Sequence, residues 1–223
     1  SKREDISIDD ARNGKVLIGY QEIKCHIIFD IKMDGKFTRK SRLVAGGHTT
    51  DPPSFIPYSS VVSRDSVRIA FTIAALNGLD CLACDIGNAY LNAPCREKIW
   101  CETGTEFGSD KGKVMVIYRV LYGLKSSGAS WRSIFAEILT DLKYLPTRAD
   151  PDVWIKSKRK KNGDDYYSLI LVYVDDVLHF DHERDELMKL LKEKYRLKND
   201  PEPPDRYLGA NIDKVQLSDG DIA

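Results

Sequence analysis

The stretch Ile170-Leu-Val-Tyr-Val-Asp175-Asp176-Val-Leu178 sets two neighbouring carboxylates inside an otherwise apolar run. The flanking segments, Tyr166–Val174 and Val177–Phe180, read as strands. Carboxylates are almost never fully buried unless they are paired or hold a metal. One reading of the pair is a hairpin turn, because Asp tolerates turn geometry. Turns more often use Asn-Gly or Asp-Gly, however, and adjacent like charges at the tip of buried strands repel unless a cation lies between them. That repulsion favours the cation reading. Asp85 lies near the end of another apolar run, Leu79–Ile86. If that run lies beside the hairpin, three carboxylates converge, and Mg²⁺ completed by water and substrate phosphates suits such a cluster. Two ions about 3.5–4 Å apart would clamp the attacking and leaving oxygens of a phosphoryl transfer.

Working outward, 223 residues with 42% apolar content bury roughly 70–75% of the unfolded surface, enough for one compact domain with subdomains. The 34 basic residues cancel the 34 acidic ones, so any nucleic-acid-binding surface must be local. The apolar stretches around Ile69–Leu76 and Leu169–Val174 fall short of the ~18–20 residues a membrane span needs, and no basic-then-apolar leader opens the sequence. A soluble protein, or a piece of one, with no membrane partner is expected. Five cysteines are an odd number in a chain that needs no staples, which favours a reducing compartment over disulfides. Cys81-x-x-Cys84 invites a zinc reading, but residues three apart on a strand face opposite sides. His179 and His182 read as ordinary surface histidines. Gly108-Ser-Asp-Lys-Gly112-Lys113 has the wrong spacing for a phosphate loop, with Val114 where Ser or Thr belongs, and reads as a turn.

Element by element, Ile27, Phe29, Ile31 and Met33, then Phe37 and Leu43, alternate around Asp34-Gly35, a hairpin signal. Asp51–Tyr58 contains three prolines and reads as a loop. Val67, Ile69, Ala70, Phe71, Ile73, Ala74 and Leu76 keep a helical period, with Ser63 as cap and Gly78 as stop. A second helix starts at Ser126 or Ser127, carries Trp131, Ile134, Phe135, Ile138, Leu139 and Leu142, and ends near Pro146. Val153–Lys156 reads as a strand, and the basic stretch Lys156–Lys161 before Asn162-Gly163 as a solvated loop. Glu183–Arg196 reads as a helix with Leu187, Leu190, Leu191 and Tyr195 inward, and Tyr207–Leu217 as a terminal strand pair. The order predicts an α+β layer sandwich, an antiparallel sheet packed on helices.

These residues also carry a resemblance. Tyr173-Val-Asp-Asp176 in its apolar hairpin resembles the YxDD signature of reverse transcriptases, and Asp85-Ile-Gly-Asn-Ala-Tyr90-Leu-Asn92 resembles their first catalytic-aspartate motif. Lys40-Ser-Arg-Leu-Val-Ala-Gly46, Pro57–Arg64, Leu121-Tyr-Gly-Leu-Lys125, Asp150-Pro-Asp-Val-Trp-Ile155 and Tyr207-Leu-Gly209 resemble further segments of copia-type LTR-retrotransposon polymerases, in the same order. The match runs from about Gly19 to Ile212.

The resemblance implies an RNA-directed DNA polymerase that adds dNTPs to a primer 3′ end on an RNA or DNA template, using two Mg²⁺ ions, with Mn²⁺ as the alternative. It implies fingers at about 1–62 and 93–125 and a palm at about 63–92 and 126–214, with thumb and RNase H absent. Asp85, Asp175 and Asp176 match the catalytic aspartates, with Asp85, Asp175 and the Ile86 backbone at the metals. Lys40, Arg42, Ile86, Tyr90, Gly123 and Lys125 match nucleotide-binding positions, Tyr90 as the steric gate under the sugar. Tyr173, Leu208 and Gly209 match the primer grip. By themselves, Tyr90 would be read as a core aromatic, and Lys40 or Arg42 as a surface charge. The other parts of a polyprotein, RNase H and integrase, are the implied partners, in an intracellular virus-like particle or the nucleus. Gly46 stands where the family has a basic residue, and Ser126-Ser127-Gly128 where it has Gln-Ala-Pro. These departures keep open a decayed or domesticated copy acting as a non-catalytic nucleic-acid-binding or assembly module, and the carboxylates alone also suit a palm-fold enzyme of free nucleotides.

Overall fold

The structure, a computed structural model, describes residues 6–32, 37–53, 57–183 and 185–215. In chain order the elements are α1 (Ile8–Arg12), β1 (Gln21–Glu22), β2 (Cys25–Lys32), β3 (Thr38–Ala45), α2 (Arg64–Asn77), β4 (Asp80–Asp85), β5 (Ile99–Glu102), β6 (Val114–Val116) and α3 (Ser127–Asp141). Then follow β7 (Leu145–Pro146), β8 (Val153–Arg159), β9 (Asp165–Tyr173), β10 (Asp176–Asp181), α4 (Asp185–Lys194), β11 (Arg206–Tyr207) and β12 (Ala210–Asn211). The mixed α+β architecture with antiparallel sheets is the one expected. The chain divides into two compact units, one of residues 1–59 and 90–133, the other of 60–89 and 134–223.

The first unit is built on the sheet β1-β5-β6, with Ala11, Trp100, Val114 and Val116 buried together. Beside it β2 and β3 form an antiparallel ladder from Cys25↔Ala45 to Lys32↔Thr38. The Asp34-Gly35 turn inferred between them lies outside the described residues. Because paired residues share a face, Ile28 with Arg42 and Asp30 with Lys40 lie on one side, and Phe29 with Ser41 and Ile31 with Arg39 on the other. Phe29 and Ile31 are exposed.

The second unit holds the sheet β4-β10-β9-β8-β7, antiparallel throughout. Helix α2 packs on it through Ala70 and Ala74, and Phe71 meets Phe180 edge-on with ring centroids 4.9 Å apart. Its ends follow the sequence: the Ser63 hydroxyl accepts from the Ser66 amide, and Gly78 closes the helix at φ 63°. Asp150 reinforces that start by accepting from the Ser63 amide at 2.9 Å and the Ser66 hydroxyl at 2.6 Å.

Several sequence expectations need correction. Ile69 and Leu76 keep the helical period but face outward, because the small Ala70 and Ala74 line the side that contacts the sheet. Helix α3 stops at Asp141, where Lys143 turns at φ 68°, and Pro146 sits in an edge strand that tolerates its missing N–H. The basic stretch runs as strand as far as Arg159, because Lys158 finds the buried Asp181 at 2.9 Å and Arg159 finds Asp165 at 2.7 Å. Met188 joins Leu187 and Leu191 inside α4, while Leu190 and Tyr195 are only half-buried. His179 is fully buried rather than on the surface; its Nε2 lies 3.2 Å from both the Tyr144 and Ser168 hydroxyls and 3.3 Å from Asp181. The terminal strand pair is short, its two-residue turn formed by Leu208 and Gly209, both at positive φ.

Candidate active site

The sheet register brings the acidic residues together. In the β9–β10 hairpin Tyr173 pairs with Asp176, leaving Val174 and Asp175 as the turn, and Asp176 pairs on its other side with Asp85 at the end of β4. The turn and the charged pair are therefore one feature. Only Val174 has positive φ (58°), the position a II′ turn normally gives to glycine. A β-branched residue there is strained, and such strain concentrates at functional sites. The Ile86 amide donates to the Asp175 carbonyl at 2.8 Å, fixing the turn against the end of β4.

Asp85 and Asp175 converge on one cation, and that cation is Lys198. Its Nζ lies 2.5 Å from Asp85 Oδ1, 2.6 Å from Asp85 Oδ2 and 2.9 Å from Asp175 Oδ2. Burial pushes the Asp85 carboxyl up, and although Lys198 draws it down, it stays above its ordinary value. The Asp176 carboxyl is pushed up to about 6, first by burial and then by the charges of Asp85 and Asp175. Burial alone would lower the Lys198 ammonium, but its carboxylate partners more than reverse this. Two carboxylates already sharing a cation are a donor set Mg²⁺ accepts, so the residues fit a divalent ion. The sheet sets Asp85 beside the hairpin, and the charges of Asp85 and Asp175 reach Asp176, while Lys198 is shared by Asp85 and Asp175 alone. Among the described residues no group of three or more His, Cys, Asp or Glu side chains is arranged to hold a metal ion. Asp176 belongs to the strand ladder and lies close enough to Tyr207 to help burial raise that hydroxyl.

Leu208 and Tyr173 both pack on the core of the same unit. Lys40, Arg42, Tyr90, Gly123 and Lys125 lie in the first unit. There Tyr90 stands edge-on to Tyr122 with centroids 5.0 Å apart, and the Arg42 guanidinium lies 5.8 Å from the Tyr122 ring centroid. Gly123 is required where it is: at φ 91°, any side chain would overlap the Ala45 carbonyl, because β3 and the segment at Tyr122 run side by side, with the Ala45 amide donating to the Tyr122 carbonyl at 2.7 Å. Lys125 donates to the Thr50 carbonyl at 2.6 Å. Lys40 is exposed on β3 opposite Asp30. Two of the divergent positions have local roles, the Ser126 hydroxyl donating to Glu97 at 2.9 Å and the Ser127 hydroxyl to the Leu121 carbonyl at 2.6 Å.

Sequence reasoning missed Lys198 and Tyr122. Tyr122 lay within a quoted segment, and an aromatic beside an obligatory glycine was a signal. Lys198 carried none, standing 113 residues from its partner Asp85.

Comparison with known proteins gives the family. The chain belongs to the reverse transcriptase (RNA-dependent DNA polymerase) family, whose model matches residues 15–219. It is 30% identical over 210 residues, 90% of its length, to the Retrovirus-related Pol polyprotein from transposon TNT 1-94 of Nicotiana tabacum. It is also 32% identical over 111 residues (49% of its length) to the Transposon Ty1-ER2 Gag-Pol polyprotein and 29% identical over 182 residues (79%) to the Ty1-NL2 counterpart, both of Saccharomyces cerevisiae. The chain spans 15%, 6% and 10% of these relatives. The copia-type resemblance read from the motifs is thereby borne out.

Proposed function

We propose that the chain is the fingers and palm of an RNA-directed DNA polymerase, in which the primer 3′-hydroxyl attacks the α-phosphate of a dNTP and pyrophosphate leaves. The observation that carries this reading is the shared cation position of Asp85 and Asp175 at the tip of a strained hairpin. Divalent ions bound there would neutralise charge on the attacking and leaving oxygens. The chain's own residues position and exclude. Asp85 and Asp175, with the Ile86 backbone, would hold the metals, and Asp176 would support them and the primer end. Lys40, Arg42 and Lys125 meet triphosphate charge, Gly123 lets the backbone approach base and nucleotide, and Tyr90 blocks a 2′-hydroxyl. Tyr173, Leu208 and Gly209 hold the primer. The division into two compact units supports fingers at about 1–62 and 93–125 and a palm at about 63–92 and 126–214. The relatives are named as polyproteins, which supports a polyprotein origin; thumb, RNase H and integrase would then be its other parts. A non-catalytic binding or assembly module is the second reading, favoured only by Gly46 and Ser126-Ser127-Gly128.

The test is primer extension on oligo(dT)-primed poly(rA) with dTTP and Mg²⁺, comparing the chain with Asp175→Asn. Incorporation should fall by at least about 100-fold while the fold persists, because a charge but almost no volume is lost. Retention of more than a few per cent of activity by a folded Asp175→Asn protein would overturn the two-metal assignment.

A further inference from the structure

The segment after α4 is built against the acidic pair rather than left loose. The Gly87 amide donates to the Arg196 carbonyl at 2.8 Å, and the Lys198 amide donates to the Asp85 carbonyl at 2.9 Å. Ile86 and Leu197 bridge antiparallel between them. Gly87 makes the approach feasible, since a Cβ there would come within 2.8 Å of the Arg196 carbonyl. The backbone thus delivers Lys198 to the carboxylates, and its four-carbon stem reaches both. Asp85 Oδ1, buried and without a hydrogen bond of its own, faces the ammonium at 2.5 Å.

From this geometry we infer that Lys198 is the internal counter-cation of the Asp85–Asp175 pair: in the metal-free chain its ammonium holds the carboxylates together, and a divalent ion binds by displacing it. The inference rests on the polymerase-site reading. An ammonium neutralises one of two adjacent negative charges, whereas a divalent ion neutralises both, so displacement is favourable once the ion sheds part of its water. The lysine has somewhere to go. Its side chain is 42% exposed, and it borders an open cleft of about 330 Å³ lined also by Lys192, Tyr195, Asn199 and Asp200. The lysine therefore sets a threshold: it lowers the metal affinity of the empty site and keeps two like charges from splaying the hairpin tip.

The experiment measures Mn²⁺ binding to the full chain by loss of the free-ion EPR signal, without template or nucleotide, alongside thermal melting. Lys198→Gln should bind Mn²⁺ about tenfold more tightly than the unsubstituted chain, the order expected when the ion pairs of a half-exposed lysine no longer compete. It should also melt at a lower temperature without metal and recover with Mn²⁺. Lys192→Gln, which removes the same charge from the same cleft but pairs with Asp200, should change Mn²⁺ affinity much less. Lys198→Arg, which keeps the charge, guards against a folding defect and should bind like the unsubstituted chain. Equal or weaker Mn²⁺ binding by Lys198→Gln, or equal gains in both glutamine variants, would overturn the counter-cation while leaving the polymerase site standing. If Asp175→Asn left Mn²⁺ binding unaltered, the metal site itself would fall, and this inference with it.

Discussion

Tyr90 separates a functional from a structural account most cleanly at the level of single residues. It is half-exposed and touches Tyr122, whose ring also faces Arg42. Losing that aromatic pair costs about 0.5–1.5 kcal/mol beyond its buried area, and a merely packed tyrosine would lose use of both substrate types equally. A ring under the sugar acts by clash, so trimming it admits what it excluded. Tyr90→Val should therefore raise the ratio of rNTP to dNTP incorporation by at least about tenfold. Parallel single-nucleotide extension rates and a melting curve on this one variant check it; a lower melting point with an unchanged ratio would remove Tyr90 from the site.

Among the elements, the β9–β10 hairpin stands on a buried charge. Asp181 is fully buried and accepts from Tyr166 at 2.7 Å, from Lys158 at 2.9 Å and from the Glu183 amide at 2.8 Å. Burial pushes its carboxyl up, but hydrogen bonds from His179, Ser168, Glu183 and Lys158 outweigh burial and hold it well below the usual range. A carboxylate depressed in this way contributes stability that is complete above its unfolded value of about 3.9 and lost as pH falls toward its folded value. Asp181→Asn should thus cost about 3 kcal/mol at pH 7, where Lys158 is left unpaired, and should flatten the loss of stability below about pH 4. Urea melts from pH 7 to pH 3 measure both effects; parallel pH curves for the two proteins would contradict it. This network also shows what a sequence hides. Helix α2 was legible because Ser63, Gly78 and a helical period are local signals, and so was the hairpin around Asp175. His179 was misread because β10 is buried on both faces, so a polar residue on it looks like an outward position. Lys198 was invisible because only the folded sheet brings positions 85, 175 and 198 together.

For the whole molecule, a net charge of zero conceals a local concentration of cations. Arg39 and Lys40 are exposed on β3, with the half-buried Arg42 two residues further. If these meet phosphates, binding of a template–primer duplex releases counterions despite the neutral total. The logarithm of affinity should fall against the logarithm of salt with a slope of about −3 or steeper. Fluorescence anisotropy with a labelled duplex between low and physiological salt reads it directly, and a slope near zero would exclude a duplex as ligand. The segment that carries Lys198 has a second consequence. Continuing past the site, it runs along the outer side of β4, with Ala83 and Glu202 exchanging backbone hydrogen bonds of 2.8 and 3.2 Å. At the far end of the sheet β7 is two residues long and contains Pro146. At the β4 border the backbone groups of Ala83 and Asp85 are thus already paired, and open rows of such groups are what neighbouring molecules use to stack strand upon strand. Crowded copies of the chain are thereby denied a template for aggregation along that border, and its covering is the very stretch that delivers a cation to the acidic pair.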